Sequence, residues 1–398
     1  MRRTQFTRTF ISSVAVACTA VAVVPAVSGA SPTSATALTA TESQAALDQA
    51  SALFAARANP NEAKRRSASS RLGTLSKQDS ATSRRLVDDR FTQAVSDYRA
   101  WLQTRGEAYV DSSTFVDVLS SRTTQTGAVL RVRETTMLTY AKIRGDEPPE
   151  TGYSAEHELV YKRSGTNGAL TLTKDNQLEP SGLLPLGVAE TFTSTKGANA
   201  KDQANPAPVV GAEVPSSTEQ PSAPSTAKGT APSLTTGQSA LPVDGYNDTA
   251  MATYLEKYWT NYNQAYRSFD GVGGDCTNFV SQALRAGGWA MTGGSSGDYH
   301  YWWYKSSTQT KSWAAVDWWA SYARSSGRTS ALGNVWDLRL GDVLQIDRSK
   351  DGIKDHTMMV SYYSSKPYFT YHSINRYRRS MDQVLADWGA ANYYAYRT

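Results

Sequence analysis

Apolar residues recur at helical spacing in two segments of the N-terminal half. Residues 41–54 form the first, and Thr41 with Gln44 resembles a capping box at its start. The second is a single apolar stripe with intervals of three or four residues: Val87, Phe91, Val95, Tyr98 and Leu102. Gly106 follows this stripe, and glycine commonly ends a helix. The pattern therefore predicts two amphipathic helices.

Beyond Gly106 the period shortens to that of β-strands. The pattern predicts strands over residues 129–136, 157–162 and 169–173. An Asn-Gly pair, typical of a hairpin turn, precedes the last of them. A helix followed by antiparallel strands predicts a small α+β domain over residues 81–190. His157 lies between Glu156 and Glu158, and this trio favours a solvated strand edge over a metal site.

Composition divides the remaining chain. Residues 31–80 are rich in Ala and Ser and partly helical, and residues 191–245 are a linker rich in Pro, Ser, Thr and Ala. Such a linker buries too little apolar surface to offset its ordering entropy, so we expect it to be flexible. Nine of the ten tryptophans fall within residues 246–398, which predicts the main functional domain there.

The first 30 residues predict an export signal. Three arginines precede an apolar run over residues 11–27, and small residues follow it. A membrane anchor is the alternative, but polar residues and a proline interrupt the run. We therefore expect residues 1–30 to be a signal peptide and the mature protein to be secreted, extracellular or associated with the cell wall.

Charge and cysteine content restrict the classes of function that the chain can have. The net charge is +5, and the signal arginines account for three of these positive charges, so the mature chain is too weakly basic for nucleic-acid binding. Cys18 lies in the signal, which leaves Cys276 as a single exported thiol without an internal disulfide. Such a thiol is either used in chemistry or buried and inert.

The surroundings of Cys276 favour chemistry. Two glycines precede Asp275, a good N-cap residue, and the apolar residues that follow are spaced for a helix. Cys276 then falls in the first helical turn, where the helix dipole and free amides favour a thiolate and could hold an oxyanion. A structural cysteine after a cap is the alternative.

Histidines supply the candidate base for this thiol. His356 opens a predicted strand over residues 357–363, which follows another strand at 341–346. A later strand, 368–372, ends on His372. The chain order is thus a helix-borne cysteine, a histidine at a strand start, and a polar residue on the next strand.

These motifs resemble the "Putative amidase domain" family, within the papain-like NlpC/P60 and CHAP superfamily of cell-wall hydrolases. The resemblance rests on the Asp-Cys-Thr-Asn-Phe-Val-Ser-Gln block at 275–282, on Gly-Asp-Val-Leu at 341–344, and on Asp-Gly-Ile-Lys-Asp-His at 351–356. Tyr-His-Ser at 371–373 completes it. It covers residues 246–398 and implies an α+β, papain-like domain with a catalytic helix packed on an antiparallel sheet.

The resemblance also implies residue roles. Cys276 would be the nucleophile and His356 the general base. His372 would orient the imidazole of His356, with Asn375 or Asp355 as alternatives for that third role.

Two further patterns remain open. An EF-hand-like calcium loop is matched, without its final glutamate, by Asp347, Ser349, Asp351, Gly352, Ile353 and Asp355; a polar hairpin turn is the preferred interpretation.

The aromatic residues at 301–304 and 318–319 could stack on sugars, although core packing is the default. His300 is expected at the surface or in a cleft wall.

The resulting hypothesis is a secreted cysteine amidase or peptidase that cleaves peptidoglycan or a peptide-like substrate through an acyl-enzyme. We expect a monomer with no cofactor, no nucleic-acid partner and no membrane association after signal cleavage. The alternative is a non-catalytic binding module for cell walls or carbohydrate, built on a degenerate papain-like domain. Another substrate, or transamidation, is compatible with the same chemistry.

Overall fold

The computed structural model describes residues 37–58, 89–164, 168–178, 223–229, 245–270, 274–306, 308–373 and 375–398. The predicted signal peptide and most of the predicted linker lie outside these ranges. Helices are combined with antiparallel strands, which confirms the predicted α+β class. Among the described helices, none is long and apolar enough to cross a bilayer.

The N-terminal elements include both predicted helices. They are α1 (Ala40–Ala58), α2 (Asp89–Thr104), β1 (Tyr109–Thr124), β2 (Gly127–Tyr140), β3 (Glu150–Ser164) and β4 (Ala169–Gln177). The capping interaction of α1 lies two residues earlier than predicted, because Thr39 and Glu42 exchange hydrogen bonds between side chains and amides. Gly106 follows α2 with a φ of 78°, which suits glycine.

The C-terminal elements surround the motifs noted above. They are α3 (Asp248–Tyr258), α4 (Cys276–Ala286), β5 (Tyr304–Lys305), β6 (Thr308–Gln309), α5 (Lys311–Ala314), α6 (Val316–Ser325), β7 (Ser330–Leu332), β8 (Val343–Asp347), β9 (His356–Tyr363), β10 (Pro367–Tyr371), β11 (Asn375–Ser380), α7 (Met381–Trp388) and β12 (Asn392–Arg397). The strands predicted after residue 340 are therefore present.

One sheet contains strands from both halves of the chain. Its order is β1-β2-β3-β11-β10-β9-β8-β12-β7, and β4 also pairs with β3. The two halves meet where Ser154 of β3 pairs with Asn375 of β11. The buried ammonium of Lys366 reinforces this junction, because it lies 2.6 Å from Glu107 and 3.0 Å from Asp382.

The C-terminal part of the sheet buries both of its faces. Met358 and Val360 of β9 belong to a core that includes Trp388 of α7. Met359 belongs to a second core with Phe279 and Val280 of α4. Successive strand residues point to opposite faces, so α4 and α7 cover opposite sides of β9.

His157 is buried rather than solvated, so the predicted strand-edge environment is wrong. Its side chain is 3% exposed, since β3 is an interior strand between β2 and β4. Nδ1 lies 2.8 Å from Asp175 Oδ1, and Nε2 makes an ion-pair contact of 3.3 Å with Glu134. The adjacent glutamates, Glu156 and Glu158, do not contribute to this cluster.

Part of the predicted linker is docked onto the C-terminal strands. The amide of Ser225 donates to Tyr393 O at 2.7 Å, and Thr226 O accepts from the amide of Val335 at 2.9 Å. Residues 223–229 thus obtain backbone hydrogen bonds that an analysis of apolar content does not foresee. We call residues 223–229 the docked segment.

Candidate active site

Cys276 is the first residue of α4, as predicted, but its surroundings disfavour the thiolate. The residue is 6% exposed, and burial raises the pKa of its thiol. Hydrogen bonds from the Thr357 amide and from Thr277 oppose this shift, and the nearby Asp275 carboxylate adds to it. The site therefore holds a neutral thiol beside the start of β9.

Asp275 precedes the helix without capping it through its side chain. Its carboxylate instead accepts from the amide of Phe269 at 2.9 Å and from Asn278 Nδ2 at 2.8 Å. The other oxygen, Oδ2, lies 2.7 Å from His372 Nδ1. Sequence analysis assigned Asp275 only as a cap, because its imidazole partner lies 97 positions away.

Ser373 caps α4 in place of Asp275. Its Oγ accepts from the amides of Asp275 and Cys276, at 2.6 and 3.1 Å. Sequence analysis did not identify this role, although Ser373 belongs to the Tyr-His-Ser motif. A side chain distant in sequence thus accepts from the first helix amide, one of those expected to be free.

His372 is held on every side. Its ring stacks between Phe279 and Tyr262, with centroid distances of 3.5 and 3.8 Å. Nδ1 faces Asp275, and Nε2 lies 3.0 Å from the carbonyl of Tyr258. Each ring nitrogen therefore faces an oxygen of the protein. His372 thereby ties the end of β10 to the start of α4.

His356 lies on the other side of β9. Its ring packs 5.0 Å from Tyr371 and 5.8 Å from Trp388, in the core covered by α7. The next residue, Thr357, faces α4 and shares a hydrogen bond of 2.9 Å with Thr277. The alternation of side chains along β9 accounts for this separation.

The electrostatics of His356 favour a neutral imidazole. Burial, followed by the positive charges of Arg348 and Arg376, lowers its pKa to about 3. Its Nε2 is buried and has no hydrogen-bond partner among the residues that the structure describes. An available nitrogen on a neutral ring is what a general base requires, although a pKa this low makes the base weak.

The predicted constellation is therefore brought together only in part. Asp275, Cys276 and the end of β10 meet, whereas the described contacts include no hydrogen bond between Cys276 and His356. None of the three candidates orients the His356 ring: His372 bonds Asp275, Asn375 accepts from Tyr262, and Asp355 accepts from the amide of Arg348.

The turn between β8 and β9 uses its carboxylates internally. Asp347 accepts from the amide of Gly352 at 3.0 Å, and Asp351 accepts from Ile353 at 2.9 Å. Within the described ranges, no group of three or more His, Cys, Asp or Glu side chains is arranged to hold a metal ion. These internal hydrogen bonds are those of a polar turn, and calcium binding here stays an untested alternative.

The aromatic residues near the site are mainly core residues. Trp302, Trp318 and Trp319 are buried, as the default interpretation has it. Tyr301 and Trp303 are half-buried. His300 is exposed, as expected, and its Nδ1 lies 2.7 Å from Asp298.

Comparison with known proteins supports an amidase-like class for this region. Residues 245–396 match the family described as "Putative amidase domain", and this match indicates a hydrolase. Two curated relatives are uncharacterised proteins of Bacillus subtilis strain 168. YhbB is 34% identical over 122 residues, which is 29% of this chain, and YjcM is 32% identical over 165 residues, or 39% of it.

The chain spans only 37% of the length of each of these relatives. No solved structure matched the chain.

Proposed function

We propose that residues 245–396 hydrolyse an amide bond with Cys276 as nucleophile. The observation that carries this proposal is the position of Cys276, which is buried as the first residue of an amphipathic helix packed on an antiparallel sheet. A helix-borne cysteine packed on an antiparallel sheet is the arrangement expected of the papain-like hydrolases that the sequence motifs resemble.

The proposed reaction starts from a neutral pair. As Cys276 attacks the carbonyl carbon, its proton passes to His356 Nε2, a bond forms between sulfur and carbon, and the π electrons move to oxygen. Collapse expels the amine, which takes that proton, and water then hydrolyses the acyl-enzyme. Because His356 packs against Trp388 on the face of β9 opposite α4, this step requires the start of β9 to rearrange and bring the imidazole to the face that carries Cys276. His372, bonded to Asp275, holds the start of α4.

The proposed substrate is an amide of peptidoglycan or of a related peptide. This rests on the predicted export signal and on the family resemblance, since no described residue identifies the substrate. We further propose that the protein acts as a monomer, outside the cell or at the cell wall, and without a cofactor.

Purified cell walls test the proposal. Cys276→Ala should abolish release of new amino and carboxyl ends, detected by mass spectrometry. His356→Gln should lower the rate by about 10²- to 10⁴-fold, the usual contribution of a general base. His300→Gln, a change at an exposed histidine, should leave it unaltered. Full activity in Cys276→Ala would exclude the cysteine mechanism, and full activity in His356→Gln would leave His372 as the candidate base.

A non-catalytic wall-binding module is the second candidate. It is favoured by one observation: neither histidine of the site is hydrogen-bonded to the buried thiol. In that case the wild type and Cys276→Ala would bind walls equally, and neither would generate new ends.

A further inference from the structure

Ser373 occupies the place where an oxyanion would bind in the proposed amidase. Oxyanion-stabilising donors lie about 2.7–3.1 Å from the oxygen that they hold. Ser373 Oγ is 2.6 Å from the amide nitrogen of Asp275 and 3.1 Å from that of Cys276. The second of these amides belongs to the proposed nucleophile itself.

The local backbone is shaped to admit this hydroxyl. Gly274 has a φ of 98°, and a Cβ built on it would lie 2.8 Å from Ser373 Oγ. The glycine before Asp275 therefore gives Ser373 access to the start of α4. The approach also leaves the Asp275 carboxylate free to bond His372.

The backbone of Ser373 is strained in this position. Its φ is 72°, a left-handed conformation that non-glycine residues rarely adopt. The residue is half-buried and lies in the short connection between β10 and β11. Backbone strain of this kind persists where surrounding contacts hold it, and the two hydrogen bonds of Ser373 Oγ are such contacts.

We propose that Ser373 is a positioning residue that blocks the amide of Cys276 in the resting protein, so that a substrate oxygen has to displace its hydroxyl. This inference rests on the proposed function and concerns the regulation of the same site. It agrees with the other features of a resting state, namely a buried thiol and a His356 ring on the opposite face of β9.

A peptide-like aldehyde, N-acetyl-alaninal, tests the inference without requiring amide turnover. The aldehyde adds to the Cys276 thiol: a bond forms between sulfur and carbon, the π electrons move to oxygen, and the thiol proton completes the hydroxyl of the hemithioacetal. Binding is measured as protection of Cys276 from iodoacetamide. Alkylation without aldehyde reports the thiol alone, since it involves no oxyanion.

Ser373→Gly removes the hydroxyl and supplies the residue best suited to a φ of 72°. We expect it to bind the aldehyde about three- to tenfold more tightly, the value of one freed hydrogen bond, with alkylation in its absence changed less than twofold. Lys350→Gly, which replaces another left-handed residue in an exposed turn, is the matched control and should bind as the wild type does.

Unchanged or weaker aldehyde binding in Ser373→Gly would overturn the inference. So would a lower melting temperature with alkylation and aldehyde binding altered in parallel, since that indicates a purely structural role. Tighter binding in a protein that cleaves no amide would support the Ser373 inference while refuting the amidase. An active amidase with unaltered aldehyde binding would do the reverse.

Discussion

A thiol at the start of a helix becomes acidic only where free amides and water can stabilise its negative charge. At Cys276 the sulfur is buried and Asp275 contributes a nearby negative charge. Both features oppose ionisation. The helix start therefore positions the sulfur without activating it.

The alkylation of Cys276 should accordingly depend on pH as that of an ordinary or weaker acid. Because its pKa is raised, we expect slow reaction with iodoacetamide at pH 7 and a rate that still increases at pH 9. Mass spectrometry of the Cys276 peptide provides the rate, and Cys276→Ala is the blank. A plateau below pH 7 would instead show a preformed thiolate.

The sequence predicted the cysteine better than its partners. Gly, Asp and an apolar stripe are local signals, and they located Cys276 on α4 correctly. The direction of His356 is not a local property, because both faces of β9 carry apolar residues and either could have faced α4. The pairing of Asp275 with His372 spans 97 residues and has no signal in either motif.

Helix α1 is attached to the N-terminal strands through a charged cluster as well as an apolar one. Phe54 of α1 packs 4.6 Å from the ring of His157, and Arg57 pairs with Asp175. His157 also contacts Asp175 of β4 and Glu134 of β2. Burial opposes the charge on His157, but its hydrogen bond to Asp175 and the contact with Glu134 outweigh it and raise its pKa to about 9.

This cluster should make stability depend on pH in the alkaline range. A raised histidine pKa stabilises the fold fully below the ordinary value of about 6.5, and the contribution is lost as the pH rises through about 9. We expect the melting temperature to fall between pH 7 and pH 10 for this reason. In His157→Gln this part of the pH dependence should disappear, together with about 3–5 kcal/mol of stability, the usual cost of breaking a buried pair.

Thermal melts of both proteins across this range, with His300→Gln as the control, provide the measurement. Parallel curves for the wild type and His157→Gln would show that His157 is not charged at neutral pH.

Elements with strong apolar periodicity were predictable, and polar ones were not. Strand β1 consists largely of Ser, Thr, Asp and exposed apolar residues, so its alternation is weak, yet it pairs with β2 along nearly its whole length. The docked segment has even less apolar content. Both are held by backbone hydrogen bonds to neighbours, which composition does not report.

The shared sheet raises the question of whether the C-terminal part folds by itself. Strand β11 has β10 on one side and β3 on the other, so removal of the N-terminal part exposes a strand edge. It also leaves Lys366 without Glu107. The division into domains at residues 190 and 246 remains a prediction that this edge makes testable.

A fragment of residues 223–398 keeps the docked segment and all C-terminal strands. Compared with the full chain, we expect a lower melting temperature and association that increases with concentration, because an unpaired strand edge is a template for further pairing. Calorimetry and size-exclusion chromatography with light scattering test this. A monomeric fragment with the melting temperature of the full chain would show that the two parts are independent.

The position of β12 has a consequence for how the molecule is made. This strand, residues 392–397, lies between β8 and β7 rather than at the rim of the sheet. During synthesis β7 and β8 are translated before β12, so the position between them is first empty. Pairing in this part of the sheet is completed only by β12, the last of the described strands to be translated. A chain that stops before residue 392 leaves one edge of β7 and one edge of β8 without their hydrogen-bonding partner.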